Sequence, residues 1–277
     1  MTHESRVCSH CETPEGSPRE LNGAACYLCQ KCHEQLQADS AMDGVLMRTA
    51  EIMDKRPDEA LIMLQRVHDE HRLHDHDGSL IRKIKSHRAF ILARHGRYAE
   101  ALQELEAVPT SSFRTHEERA DHARDRARIL HLHGRTREAL NDLENALTNR
   151  QELHPATVLR LLTEYADVAS SCGLVVPEMM GPILGQVAES LGIPGADEAS
   201  SGHPIGNRIQ AMWMRFKEGG RRYENAIFLG ANKPREERRR IIDEYSRTEP
   251  IGFYSELAKK MVGGEGEGDD RATGERA

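Results

Sequence analysis

The chain has 277 residues, of which 38% are hydrophobic, 30% charged and 4% aromatic, and its formal net charge is −7. That length is enough for two domains or one elongated array, and the acidic balance gives no reason to expect a polyanion as the principal partner. No stretch approaches eighteen apolar residues, and Met1-Thr2-His3-Glu4-Ser5-Arg6 lacks the basic and apolar regions of an export signal. A cytoplasmic location without membrane contact is therefore expected.

Residues 1–40 read as a zinc-binding module. Five of the six cysteines lie within the first 32 residues, which in a reducing compartment points to metal rather than to disulfides. Cys8-Ser9-His10-Cys11 and Cys29-Gln30-Lys31-Cys32 are two C-x-x-C pairs, separated by seventeen residues. Zinc takes about four soft ligands in a tetrahedron, and two short knuckles joined by a hairpin supply them from a segment too small to own a core. The favoured ligands are Cys8, Cys11, Cys29 and Cys32, with Tyr27-Leu28 as the strand entering the second knuckle and His33-Glu34-Gln35-Leu36 starting a helix. Cys26, which forms a second C-x-x-C with Cys29, competes for a place, as do His10 and His33. Cys29-Gln30-Lys31-Cys32-His33 also spells the haem-attachment pattern C-x-x-C-H, but that chemistry follows export and leaves the first thiol pair unexplained. Three cations (Arg6, Arg19, Lys31) face six acids (Glu4, Glu12, Glu15, Glu20, Glu34, Asp39) in this module, the wrong sign for phosphate contacts. The arrangement resembles a zinc ribbon or treble-clef knuckle with a structural ion.

Residues 41–192 are helical in pattern throughout, and the pattern repeats. His95-Gly96-Arg97-Tyr98-Ala99-Glu100-Ala101-Leu102-Gln103-Glu104-Leu105 aligns without a gap on His133-Gly134-Arg135-Thr136-Arg137-Glu138-Ala139-Leu140-Asn141-Asp142-Leu143, an offset of 38. Ala89 and Ala127 stand seven residues before these glycines, and Ala166 with Gly173 repeats the pair 39 residues on. An earlier copy survives as Glu59-Ala60-Leu61 through Val67. In each unit one helix ends at a glycine free to turn left-handed. A second helix then buries Ala101, Leu102, Leu105 and Val108 on one face. A single hairpin cannot cover that face, so the hairpins must stack.

This pattern resembles the tetratricopeptide (TPR) repeat: small residue, then Gly-x-Tyr-x-Glu-Ala-Leu, then a hydrophobic residue four past the alanine. The resemblance covers a little over half the chain, and spacings of 38 to 41 exceed the family's usual 34. It implies an all-α, helical-hairpin (TPR-like) solenoid, with helices or loops longer than usual. It also implies a concave groove presenting Lys83, Ser86 and Phe90, then Asp121, Arg124, Arg128 and His131, then Arg160, Thr163 and Asp167. Basic residues outnumber acids there, which suits a carboxylate-bearing protein or peptide partner. The two-carboxylate clamp of chaperone-binding relatives is not expected, since its Lys and Asn positions hold Ser86 and Phe90.

Residues 193–206 read as a linker, 205–262 as a C-terminal helical cap, and 263–277 as a disordered tail with almost nothing to bury. Between Ile205 and Lys260 there are 13 basic and 8 acidic residues, interleaved with Trp213, Phe216, Tyr223, Phe228, Tyr245, Phe253 and Tyr254. A capping layer is the favoured reading; contact with RNA or single-stranded DNA is the alternative. His68, His71, His74 and His76, among Asp69, Asp75 and Asp77, are read as a solvated loop rather than a metal site. No Gly-rich phosphate loop, G-x-S-x-G or H-E-x-x-H is present. The expected function is thus a non-catalytic protein-protein interaction adaptor carrying Zn2+, with a nucleic-acid-associated regulator as the alternative.

Overall fold

In the computed structural model the described residues are Cys11, 17–21, 24–194 and 204–264. Most of the expected linker and most of the expected tail lie outside them. The chain divides into two compact units, Met1–Asp142 and Leu143–Ala277. Among the described residues it is all helical apart from one hairpin, and no helix is long and apolar enough to cross a membrane.

The first unit opens with an antiparallel hairpin, β1 (Ser17–Leu21) and β2 (Ala24–Leu28), with Ser17 opposite Leu28 and Arg19 opposite Cys26. Helices α1 (Gln30–Ile52), α2 (Pro57–His71), α3 (Ser79–Arg94), α4 (Tyr98–Glu106) and α5 (His116–Leu132) follow. Helix α6 (Thr136–Thr148) spans the division between the units. Helix begins at Gln30, three residues before the expected start at His33, and runs without a break to Ile52.

Repetition in sequence is repetition in local structure. Gly96, Gly134 and Gly173 have φ of +75°, +83° and +68°. Each closes its helix with the same hydrogen-bond pair: Gly96 N–H to Ala93 O and Arg97 N–H to Leu92 O, then Gly134 to His131 and Arg135 to Leu130, then Gly173 to Ser170 and Leu174 to Ala169. This double bond satisfies the last carbonyls of a helix and needs a left-handed residue at its centre. The helices that follow bury matching positions: Ala60, Leu61, Leu64 and Val67 on α2, then Ala101, Leu102, Leu105 and Val108 where α4 runs out. On α6, Ala139 and Leu143 repeat the pattern. Even the polar contacts recur, since Arg88–Glu104 and Arg126–Asp142 join successive helices at the same offset. The extra length over a 34-residue unit sits between hairpins, in two short 3-10 turns at Thr110–Ser112 and Arg150–Glu152.

The second unit contains α7 (Pro155–Ser171), α8 (Met180–Leu191), α9 (Ile205–Ala231), α10 (Arg235–Thr248) and α11 (Gly252–Gly264). Helix α9 packs against α7, α10 and α11. Its aromatic side chains face one another: Phe216 lies 5.0 Å from Tyr254 and 5.7 Å from Phe253, and Tyr223 lies 6.0 Å from Tyr245. Gly219 permits this approach, because a Cβ there would meet the Tyr254 ring and Ile251 at 2.7 Å.

Glu249, with its side chain fully buried, accepts two hydrogen bonds from Arg222 at 2.8 and 2.9 Å and one from the Ile251 N–H at 3.0 Å. Burial pushes its carboxyl upward, but the Arg222 guanidinium and the Ile251 N–H outweigh this and hold it below the usual value. A depressed carboxyl contributes stability above its ordinary pKa and loses it as the pH falls through the folded value. Acid should therefore weaken this unit, and Glu249→Gln should flatten the acid limb of a thermal-melt profile. Arg222→Met, which leaves the buried carboxylate unpaired, should cost about 2 kcal/mol at neutral pH, discounted because Arg222 is itself partly exposed.

Candidate functional site

Two sites can be built from the residues upward, both in the first unit. The first is a sulfur cluster. Strand β2 ends at the buried Leu28 and the chain turns directly into α1, with Cys29 as the residue capping its first turn. The Cys29 sulfur accepts the Cys32 N–H at 3.4 Å, and the Cys29 carbonyl accepts the His33 N–H at 3.0 Å. This turn places Cys29 and Cys32, both buried, side by side against Leu28 and Leu36. Cys11 joins them from an exposed turn, with its sulfur 3.7 Å from that of Cys29, and all three sulfurs lie within 4.8 Å of one another. Among the described residues this is the one group of three or more such side chains placed to share an ion.

The donor set fits a metal. A tetrahedral ion with sulfur at about 2.3 Å sets sulfur–sulfur edges near 3.8 Å, close to the spacing observed, whereas a disulfide needs about 2.05 Å. Cys8 and His10 lie outside the described residues, as does the side chain of Cys26. His33 sits half-buried on α1.

The helix that carries Cys29 and Cys32 is tied down one turn later. Gln35, buried, donates to Ser79 Oγ at 3.1 Å and accepts the His76 N–H at 2.9 Å. Glu34 meets His76 at 3.1 Å and His74 at 3.4 Å. Hydrogen bonds from Gln30, His76 and His74 hold the Glu34 carboxyl down to about 2. The histidine-rich segment read as a solvated loop is thus a structured junction. Asp75 accepts the Leu80 and Ile81 N–H groups that open α3, and Asp77 accepts that of Ser79. No metal-ligating group of three forms there among the described residues.

The second site is a groove between α3 and α5, enclosing about 650 Å³ of space partly open to solvent. Ala89, Leu105 and Ile129, all buried, contribute to its lining together with Ala93. Phe90 and Leu132 stand exposed at 48% and 49%. Ser86, Arg94, Asp125 and Arg128 complete it. Arg94 is paired with Asp54 and Asp125 with Arg124. Burial pushes His87 and His122 below the ordinary imidazole value, so both stay neutral at pH 7.

Of the residues expected on a concave face, Ser86, Phe90 and Arg128 line this groove. Lys83 is paired with Asp39 at 3.0 Å, Arg124 with Asp121 and Asp125 at 3.0 Å each, and His131 contacts Thr136 at 3.3 Å. Arg160 belongs to the second unit, on α7, where it donates to Thr157 at 3.1 Å. Thr163, expected on the groove surface, is buried instead, and Asp167 accepts a hydrogen bond from Gln210 of α9. Asp167 itself remains exposed. Leu132 is among the groove residues that pattern reading missed, with Arg94 and Asp125; for Leu132, an apolar side chain one turn beyond Arg128 was the available signal.

Set against protein-family models, curated proteins and solved structures, the chain gives no match.

Proposed function

We propose that this chain is a non-catalytic protein-interaction adaptor built on TPR-like hairpins, whose α3–α5 groove takes a peptide or partner surface and whose cysteine knuckle holds a structural zinc. The observation that carries the adaptor reading is the pair Phe90 and Leu132, both exposed beside a lining of buried aliphatic side chains. Exposed apolar side chains grouped around a concavity are a common mark of a docking surface. In this reading Cys8 joins Cys11, Cys29 and Cys32 as the fourth ligand, and the ion supplies the fold energy that so small a segment cannot draw from a core. The repeats extend as a solenoid, and the cytoplasm is the compartment.

The alternative, a nucleic-acid-associated regulator, loses much of its chemical basis. Stacking on bases needs exposed rings. Of the seven aromatic residues in 205–262, Phe228 is the one that stands well exposed, while the others are buried or half-buried.

Phe90→Asp and Arg128→Glu, both surface changes, should leave the thermal melt near wild type. Each should weaken the principal partner isolated from the native host by roughly tenfold or more in a calorimetric titration. A partner bound equally well by both variants would remove the groove from the reading. Tight, salt-steep RNA or DNA binding that disappears in the Arg239→Ala, Arg240→Ala double variant would instead favour the regulator.

A further inference from the structure

The sulfur cluster is asymmetric. Cys11 is exposed, whereas Cys29 and Cys32 are buried, and the exposed sulfur is 3.7 Å from Cys29. The two sulfurs have to approach by about 1.7 Å to reach bonding distance. Cys172 provides the contrast within the same chain. It too is exposed and lies 3.8 Å from the Ser171 hydroxyl, but it belongs to no sulfur group among the described residues.

We propose that Cys11 and Cys29 form a site of reversible oxidative modification, with hydrogen peroxide as the oxidant. The Cys11 thiolate attacks the peroxide oxygen; the O–O bond breaks, giving Cys11 sulfenic acid and hydroxide. The Cys29 thiolate then attacks the sulfenyl sulfur, the S–O bond breaks, and a second hydroxide leaves as the Cys11–Cys29 disulfide forms. The two sulfurs give up two electrons, and the peroxide takes them. Low burial of the first thiol and a second thiol within reach are the features that select a cysteine for this route over slow, unassisted oxidation. Release of zinc as two ligands are consumed rests on the metal reading above; the disulfide itself does not.

The modification has a structural consequence. Cys29 caps α1, so drawing its sulfur toward Cys11 takes it from the Cys32 N–H. The next turn of the same helix carries Glu34 and Gln35, which hold His74, His76 and Ser79 at the start of α3. Oxidation at the knuckle therefore loosens the junction from which α3, one wall of the groove, begins.

The test uses the full chain, purified reduced and assayed for metal by elemental analysis before a few equivalents of hydrogen peroxide are added. Non-reducing peptide mapping should find a Cys11–Cys29 link, reversed by dithiothreitol. A chromogenic chelator should register about one zinc released per link. Cys172 should react roughly tenfold more slowly, and to a trapped sulfenic acid rather than a disulfide. A zinc-loaded protein that neither links nor loses metal overturns this proposal and leaves the zinc reading standing. Metal-free protein that still forms the link supports the modification and removes the zinc. A link between Cys29 and Cys32 instead overturns the assignment. Because the mapping is done on wild-type protein, a Cys11→Ser variant that fails to fold does not affect the outcome.

Discussion

Ala101→Asp should unfold the helical pairs of the first unit rather than alter a surface. Ala101 is 0% exposed on α4, facing α3, whose own Ala89 is also 0% exposed. Small buried residues let packed helix backbones approach closely, and a carboxylate added at Ala101 would sit on the buried face of the α3–α4 pair. The variant must either bury an unpaired charge or separate the helices. Such changes cost about 4 kcal/mol or more, against a total stability of about 5–15 kcal/mol for a domain. Ala101→Gly should cost only about 1 kcal/mol, because it loses helix propensity but keeps the fit. Circular dichroism melts of the two variants separate these effects. A melt of Ala101→Asp that overlays wild type would mean that α3 and α4 are not packed through this residue.

Cys29→Ser and Cys32→Ser should each reduce bound zinc from about one equivalent to none, and unfold the segment from β1 to the first turns of α1. Apparent binding energies of structural zinc in small modules reach about 10 kcal/mol. Among the described residues the buried cluster beside the hairpin is Leu28 and the two cysteines themselves, with Leu36 against it. Hydrogen exchange should show protection lost in residues 17–36 and kept in α4 and α5. Cys26→Ser should retain the metal, as β2 already ends in the residues that reach the cluster. If both serine variants keep a full equivalent of zinc, the ion is held elsewhere.

The repeats were legible because two residue types announce them. Glycine marks where a helix must turn left-handed, and alanine marks where two helices cross. At Gly96, Gly134 and Gly173 and at Ala60, Ala101 and Ala139 the structure has the φ values and the burial that this logic requires. The second C-x-x-C was legible for a related reason, since its spacing matches one helical turn opened by Cys29. What pattern could not give is what lies over a surface. Thr163 and Asp167 share the periodicity of an open face on α7, yet Thr163 is buried while Asp167 stays exposed and accepts a hydrogen bond from Gln210 of α9, some forty residues later in the chain. His74 and His76 likewise look like solvated loop residues until Glu34 and Gln35, which lie forty residues earlier, are placed beside them.

The helices of the first unit pack mainly on their immediate neighbours in sequence: α1 on α2, α2 on α3, α3 on α4 and α4 on α5. An order of assembly follows for a chain emerging from the ribosome. Both C-x-x-C pairs are complete once residue 32 is exposed, so under the zinc proposal the knuckle can load its ion while α3 is still unmade. Each later hairpin then finds its docking surface already synthesised, with only a short loop to close. A nascent chain halted after α5 should already protect α1 through α3 from a protease. Synthesis under zinc starvation is the condition under which the first of these steps would be missed.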